Sequence, residues 1–327
     1  MLTNTPCSPI LFIIFNRSDV AEKVFEQIRK IQPPRLFIAA DGPRYPLKEE
    51  YERCLQTRRI VNRIDWPCEV HLLLRDQNNG CGKGVSGAIT WFFNHVEEGI
   101  ILEDDCLPSS DFFDFAALML EQYRMDKRVM MITGTNYHCA KYSTKPGYYF
   151  SKHYPIWGWA TWRRAWQLYD FSIPLNWREK GFYIELKAFF KDTRIAQKWA
   201  QQFDQIAHKE VDTWDTQWVY SCIKNKGYCI TPLQNLVSNI GVFGTHGNTK
   251  AWVHEMPQQK MLTLSVGVSC LSLKDASMLD RETYKKHNFM YSPSFYQKLA
   301  SYIGAIPFFK RGYKWFKKKL NSEKKFL

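Results

Sequence analysis

Ile100-Ile101-Leu102-Glu103-Asp104-Asp105 is the stretch on which the reading of this chain turns. Consecutive apolar residues bounded by polar ones read as a strand buried on both faces, and three acids close it. Adjacent carboxylates at the end of a buried strand repel one another, so the arrangement is costly unless a cation meets them. A hard divalent ion with oxygen ligands, Mg²⁺ or Mn²⁺, suits such donors. An ion of this kind can bridge two phosphates and take up charge on a departing diphosphate. A solvated acidic turn is the plainer alternative, and the apolar strand before the acids and the helix after them weigh against it.

Working outward, apolar strand-like runs alternate with helical patterns. Pro9–Phe15 reads as the first strand, followed by a helix near Asp19–Ile31 that Ser18 would cap. Leu36–Ala40 is the second strand, ended by Asp41-Gly42, and a charged helix follows over about Leu47–Ile64. Val70–Leu74 is the third, a Gly-rich turn then leads into a helix near Val85–Val96, and Gly99–Leu102 is the fourth. A helix near Phe112–Arg124 and a strand near Val129–Ile132 come next. This alternation predicts an α/β fold whose mostly parallel central sheet carries helices on both faces. Ligands bind such sheets beyond the carboxyl ends of the strands, which puts Asp41 and the acids 103–105 on one rim. From about residue 147 the pattern changes to an aromatic segment, Tyr148–Trp166. Helices near Arg178–Phe190, Arg194–His208 and Thr213–Lys224 and a short strand at Cys229–Thr231 follow, giving a helical C-terminal part.

Two further motifs bear on chemistry. Asn79-Gly80-Cys81-Gly82-Lys83-Gly84-Val85-Ser86-Gly87 contains G-x-G-x-x-G at Gly82, Gly84 and Gly87. It follows the third strand and meets three acids in place of one ribose acid, so a dinucleotide fingerprint fits poorly. A helix N-terminus with Lys83 beside it still offers a face to phosphates. In Trp214-Asp215-Thr216-Gln217-Trp218, a carboxylate beside two indoles on a helix suits a general base in a partly apolar pocket. An ordinary Asp between two core tryptophans explains the same residues.

Composition sets the frame. The 327 residues are 45% hydrophobic and 24% charged, which is ordinary for a globular protein. Aromatics reach 16%, with 12 Trp, available for stacking on sugars or, more plainly, for filling the core. The nine Cys form no C-x-x-C pair, so neither a zinc ribbon nor a disulfide framework is indicated, and reduced thiols in a cytosolic compartment are expected. Net charge is +13, but eight Lys and Arg from Lys310 onward against the single acid Glu323 supply more than half of it. The charge therefore describes a tail and not a nucleic-acid-binding body.

Taken together, the segments resemble the family of N-acetylglucosaminyltransferase I, inverting GT-A glycosyltransferases that use UDP-N-acetylglucosamine. The resemblance runs in order through Ile14-Phe15-Asn16-Arg17-Ser18, Asp41-Gly42, Glu103-Asp104-Asp105 with Asp111-Phe112-Phe113, and Trp157-Gly158-Trp159-Ala160. It continues through Trp214-Asp215, Cys229-Ile230-Thr231-Pro232 and Thr245-His246-Gly247. It spans about residues 8–250 and lacks that family's membrane anchor and stem, as expected of a bacterial relative of the catalytic domain. It implies a GT-A catalytic domain over 1–250, with a nucleotide-binding half to about 140 and an acceptor half over about 141–250. A C-terminal extension over 251–305 and a basic tail over 306–327 would follow.

The implied activity is transfer of a sugar, N-acetylglucosamine by the family's habit, from a UDP-sugar to a hydroxyl of a glycan or lipid-linked glycan, in cell-surface polysaccharide synthesis. The resemblance gives Arg17, Asp41, Glu103, Asp104 and Thr245 to the nucleotide, with Asp41 on the uracil. Lys83 joins them from its place beside the phosphate-facing helix end. Asp105 is implied as the direct ligand of Mn²⁺ or Mg²⁺, with His246 as a second candidate. Asp215 is implied as the general base, with Asp212 its rival because Trp-Asp-Thr stands where the family has two adjacent acids. Trp157, Gly158 and Trp159 would line the sugar and acceptor site. The segment Gly241–Gly247 would close over the diphosphate. A sugar-1-phosphate nucleotidyltransferase shares the sheet but needs a Gly-rich loop where this chain has Phe15-Asn16-Arg17. A non-catalytic carbohydrate-binding protein leaves the acidic triplet unexplained. Phe309, Tyr313, Phe316 and Leu320 share one helical face flanked by lysines, so the tail is expected to dock a cytoplasmic enzyme peripherally on the inner face of the plasma membrane.

Overall fold

Strand and helix alternate through the first half of the chain as the apolar runs dictate. The computed structural model describes residues 7–45, 47–137, 147–179, 181–241, 269–272 and 276–284. Strands β1 (Ile10–Ile14), β2 (Arg35–Ala40), β3 (Glu69–Leu74) and β4 (Glu98–Glu103) are linked by α1 (Ser18–Ile31), α2 (Lys48–Arg58) with a 3₁₀ turn (Arg59–Arg63), and α3 (Gly80–His95). Then come β5 (Cys106–Pro108), α4 (Ser110–Gln122), β6 (Val129–Thr133), β7 (Gly147–Ser151), β8 (Trp159–Trp162) and α5 (Arg163–Trp166). The C-terminal half adds α6 (Phe182–Phe190), α7 (Thr193–Ala207), α8 (Asp215–Lys224), β9 (Tyr228–Pro232), β10 (Val237–Asn239) and β11 (Ser269–Cys270). Residues 276–284 form a further helix, α9. The expected helix over Leu47–Ile64 tightens to 3₁₀ geometry after Arg58. The expected Gly-rich turn is itself the first turns of α3.

Among the described residues, the large sheet runs β11-β7-β9-β6-β8-β4-β1-β2-β3, and β10 and β5 form a separate antiparallel pair. The β4-β1-β2-β3 half is wholly parallel. The other half is mixed: β8 runs antiparallel to β4 and β6, and β7 antiparallel to β9. Parallel pairing requires a crossover, usually helical. β8 pairs antiparallel with β6, so the chain re-enters the sheet there reversed.

Side chains of a strand alternate between faces, and the core divides accordingly. Ile10, Phe12 and Ile14 of β1, with Leu36 and Ile38 of β2 and Ile100 and Leu102 of β4, pack with Val24, Phe25 and Ile28 of α1 and Phe112 and Phe115 of α4. Leu11, Phe37 and Ile101 belong to the opposite layer, with Ile89, Phe92 and Phe93 of α3 and much of α6–α8. Phe12, Phe37 and Phe92 are fully buried, so truncating any one to Ala should cost about 3–5 kcal/mol. The strands β1 and β4 thus form a rigid floor under their own carboxyl ends.

β1 connects outward through β2 and β3, and α3 then carries the chain back to β4 on the other side of β1. The strand order reverses between β1 and β4, and the crevice beyond the carboxyl ends at such a reversal is where open α/β sheets bind ligands. Within the expected extension, α9 is fastened to the body. The Ser151 hydroxyl and the Lys152 amide donate to Asp280, and the Tyr284 hydroxyl donates to the Lys152 carbonyl. The basic tail and residues 242–250 lie outside the described residues. Among those described, no helix is long and apolar enough to cross a membrane.

Candidate active site

The residues that leave β1 and β4 meet at the reversal. Arg17, just beyond β1, donates from Nε to Asp104 Oδ2 at 3.4 Å and from Nη2 to Asp104 Oδ1, and lies 3.0 Å from Asp105 Oδ2. Arg17 therefore clamps two of the three acids instead of lining the neighbouring cavity. Burial alone would lower the Arg17 pKa, and the charges of Asp104 and Asp105 outweigh it and raise it. Asp104 is nonetheless pushed up, chiefly by burial and then by Asp105, against the pull of Arg17. Arg17 is shared between two carboxylates, so it only partly offsets the burial of Asp104. Glu103 is pushed up to about 8 by burial and then by the charges of Asp105 and Asp104, with Asp215 adding to them across the crevice.

Among the described residues Arg17 is the cation paired with two of these acids. Their crowding bears on a metal ion: without one, burial and mutual repulsion favour the protonated form of Glu103, and a bound cation would favour the ionised form. Among the described residues no three His, Cys, Asp or Glu side chains form a ready-made metal cage. A small hard ion does not need one, since it is commonly held by one or two carboxylates with phosphate oxygens and water completing its shell. Asp105 is the more exposed of the two aspartates, at 17% against 5% for Asp104. The donor set therefore fits an ion that arrives with a diphosphate. His246 and Thr245 lie outside the described residues.

Beside the acids is a cavity of about 140 Å³, walled by Phe15, Asp41, Arg44, Arg75, Cys81 and Glu103 among others. A pocket of this scale admits a single ring. Asp41 ends β2 in its wall, and both carboxylate oxygens accept from the Asn79 amide, at 3.1 and 2.9 Å. Arg75 Nη1 lies 3.7 Å from Asp41 and donates to the Gly84 carbonyl at 2.8 Å. Burial raises Asp41, and these partners oppose the rise. The cavity's outer wall is braced by Glu50, which accepts from Asn16 Nδ2 at 2.9 Å and from the Arg44 amide at 2.8 Å. Arg75, Arg44 and Glu50 escaped the sequence reading. Arg75 follows the apolar β3 directly, so the rule that singled out Asp41 would have found it.

The N-terminus of α3, which the sequence offered to phosphates, is partly capped from within the chain. Three amides there already have acceptors: Asn79 on Asp41, Gly80 on Asn78 Oδ1 at 3.1 Å, and Gly82 on Asp212 Oδ1 at 3.1 Å. Gly80 is at φ +75°, a conformation that favours glycine. Lys83 is exposed on α3 and outside the cavity wall.

Asp215 opens α8. Its Oδ1 accepts from the Thr213 hydroxyl at 2.5 Å and the Thr216 amide at 2.7 Å, which leaves Oδ2 without a hydrogen bond among the described residues. Trp214 and Trp218 beside it are core residues, as the plainer reading held. Trp159 is 1% exposed and stacks on Trp214 with ring centroids 5.6 Å apart. It belongs to the core and offers no open face to a sugar, because alternation on β8 turns it inward among Trp214 and Trp218. Trp157 is half-buried, and Gly158 sits at φ +59° against Val237. β10 pairs with β5 just after the acids, and at its end a Cβ on Gly241 would lie 2.2 Å from Asp105 Oδ2. The segment expected to close over the diphosphate therefore departs from beside Asp105.

No family model matches the chain, and no curated protein does. Among solved structures it is similar to HddC from Yersinia pseudotuberculosis, with a TM-score of 0.28 and 10% identity over 48% of this chain and 77% of that one. It is also similar to an apo UDP-glucose pyrophosphorylase, with a TM-score of 0.35 and 9% identity over 85% of this chain and 99% of that one. Likeness at that level says nothing of what this chain does.

Proposed function

We propose that the chain is an inverting, metal-dependent glycosyltransferase of the GT-A type, taking a UDP-sugar as donor and a glycan or lipid-linked glycan hydroxyl as acceptor. The observation that carries this reading is the gathering of Glu103, Asp104 and Asp105, two of them clamped by Arg17, at the reversal of the strand order beside a ring-sized cavity, with segment 212–215 seated on the α3 turn that lines that cavity. The cavity takes the base against Asp41. Arg17 holds Asp104 and Asp105 in place, with Asp105 the residue that would ligate Mn²⁺ or Mg²⁺. The ion, when bound, supplies positive charge to the leaving diphosphate.

In the transfer step Oδ2 of Asp215 takes the proton of the acceptor hydroxyl as its oxygen bonds to the anomeric carbon. The bond from that carbon to the diphosphate oxygen breaks, and its electron pair leaves with UDP. Attack opposite the leaving group inverts the anomeric configuration. The Thr213 hydroxyl and Thr216 amide hold Oδ1, so Oδ2 is presented in one orientation, the condition for efficient proton transfer.

A nucleotidyltransferase would make sugar-1-phosphate and a nucleoside triphosphate from the same donor and pyrophosphate. Incubation with a panel of UDP-sugars and Mn²⁺, with and without glycan acceptors or pyrophosphate, separates the readings by mass spectrometry. The proposal expects free UDP and a glycosylated acceptor. Triphosphate formed only with pyrophosphate would overturn it.

A further inference from the structure

Asp212 entered as a rival to Asp215 for the role of base, yet its position is of another kind. Its Oδ1 accepts from the Gly82 amide at 3.1 Å, across 130 residues of sequence. The first amides of a helix have no partner within the helix, so Gly82 is capped by a residue from the far half of the chain. The fit depends on bare glycines. A Cβ on Gly82 would lie 2.4 Å from Asp212 Oδ1 and 3.0 Å from the Thr213 carbonyl, and one on Gly80 would lie 2.6 Å from Asp212 Oδ2. The contact continues toward the base: Thr213 donates from its hydroxyl to Asp215 Oδ1, and its carbonyl accepts from Gln217 Nε2 at 2.7 Å. Segment 212–215 is thus seated on the glycine turn of α3 at one end and carries Asp215 at the other.

We propose that Asp212 is a positioning residue, whose carboxylate docks segment 212–215 on the Gly80–Gly82 turn and so fixes Asp215 beside that turn. On this account the Gly-x-Gly of α3 is a seat for a carboxylate of the same chain, where the sequence pattern implies a cradle for phosphate. The inference rests on Asp215 being the base of the proposed transfer, but its structural content does not.

Two variants separate the possibilities. Asp212→Ala removes the acceptor, while Asp212→Asn keeps an oxygen for the Gly82 amide. In hydrogen exchange on the full chain, Asp212→Ala should speed exchange of both the Gly82 and the Thr216 amides, the latter because it reports the contact to Asp215. Asp212→Asn should leave both close to wild type. In turnover, Asp212→Ala should lower kcat roughly 10-fold or more with UDP affinity unchanged, the signature of misplacement, and Asp212→Asn should recover to within about threefold. Unchanged Thr216 exchange in Asp212→Ala overturns the inference. So does a collapse of kcat in Asp212→Asn with exchange intact, which would make Asp212 the base. If the wild type transfers no sugar at all, the proposed function fails, and the exchange result still decides the docking.

Discussion

Asp215→Asn keeps the shape and the contacts to Oδ1 but removes the proton acceptor. It should lower kcat by about 10²-fold or more with donor affinity unchanged, the scale for a lost general base. Steady-state kinetics beside calorimetric titration of UDP checks this, and turnover within about threefold of wild type would remove Asp215 from the mechanism. Asp105→Ala should abolish the Mn²⁺-dependent part of UDP binding in the same titration, and unchanged affinity would remove Asp105 as the ligand. These acids were legible because a run of carboxylates after a buried strand is rare without a purpose. Asp212 was legible only as an acid near Asp215, because its partner lies 130 residues away and spacing does not encode that contact. Trp159 was misplaced for a related reason. An indole suits a sugar face and a core equally well, and only the direction of β8 turns it inward.

At the scale of elements, Glu50 at the start of α2 joins the loops after β1 and β2 through Asn16 and Arg44. Arg44 beside it, with the Arg44 amide and Asn16, holds the Glu50 carboxyl down to about 2 against the effect of burial. A carboxylate lowered on folding stabilises the fold above its unfolded pKa of about 4.5, and that contribution is lost as pH falls toward 2. Arg44 is 41% exposed, so the contribution is discounted to on the order of 2 kcal/mol. Glu50→Gln should therefore lower unfolding free energy by about that amount at pH 7 and by much less near pH 2. Urea titrations at the two pH values decide it, and an equal loss at both would show that the ion pair is not the cause. Strands and helices of the first half were legible from their periods, since β1, β2 and β4 are apolar runs bounded by charge. β7 and β8 were not, because short strands inside an aromatic segment carry no period of their own, and β5 and β10 are three residues each, too short to show one.

At the scale of the molecule, the reversal of strand order between β1 and β4 brings Asp41 and the acids 103–105 to one rim, as the alternation of elements implied, and Arg17 joins them from the end of β1. The second half was less legible. Its β8 inserts beside β4 in reverse, which broke the expected run of parallel strands, and segment 212–215 before α8 is seated on the α3 turn through Asp212. This rim is proposed to bind a nucleoside diphosphate together with a divalent ion. Calorimetric titration of UDP into the full chain, with Mn²⁺ and with the ion chelated, is the decisive measurement. Saturable one-site binding with Mn²⁺ should weaken at least about tenfold on chelation, since the acids then face the diphosphate without the ion. Equal binding in both conditions, or none with the ion present, would contradict it.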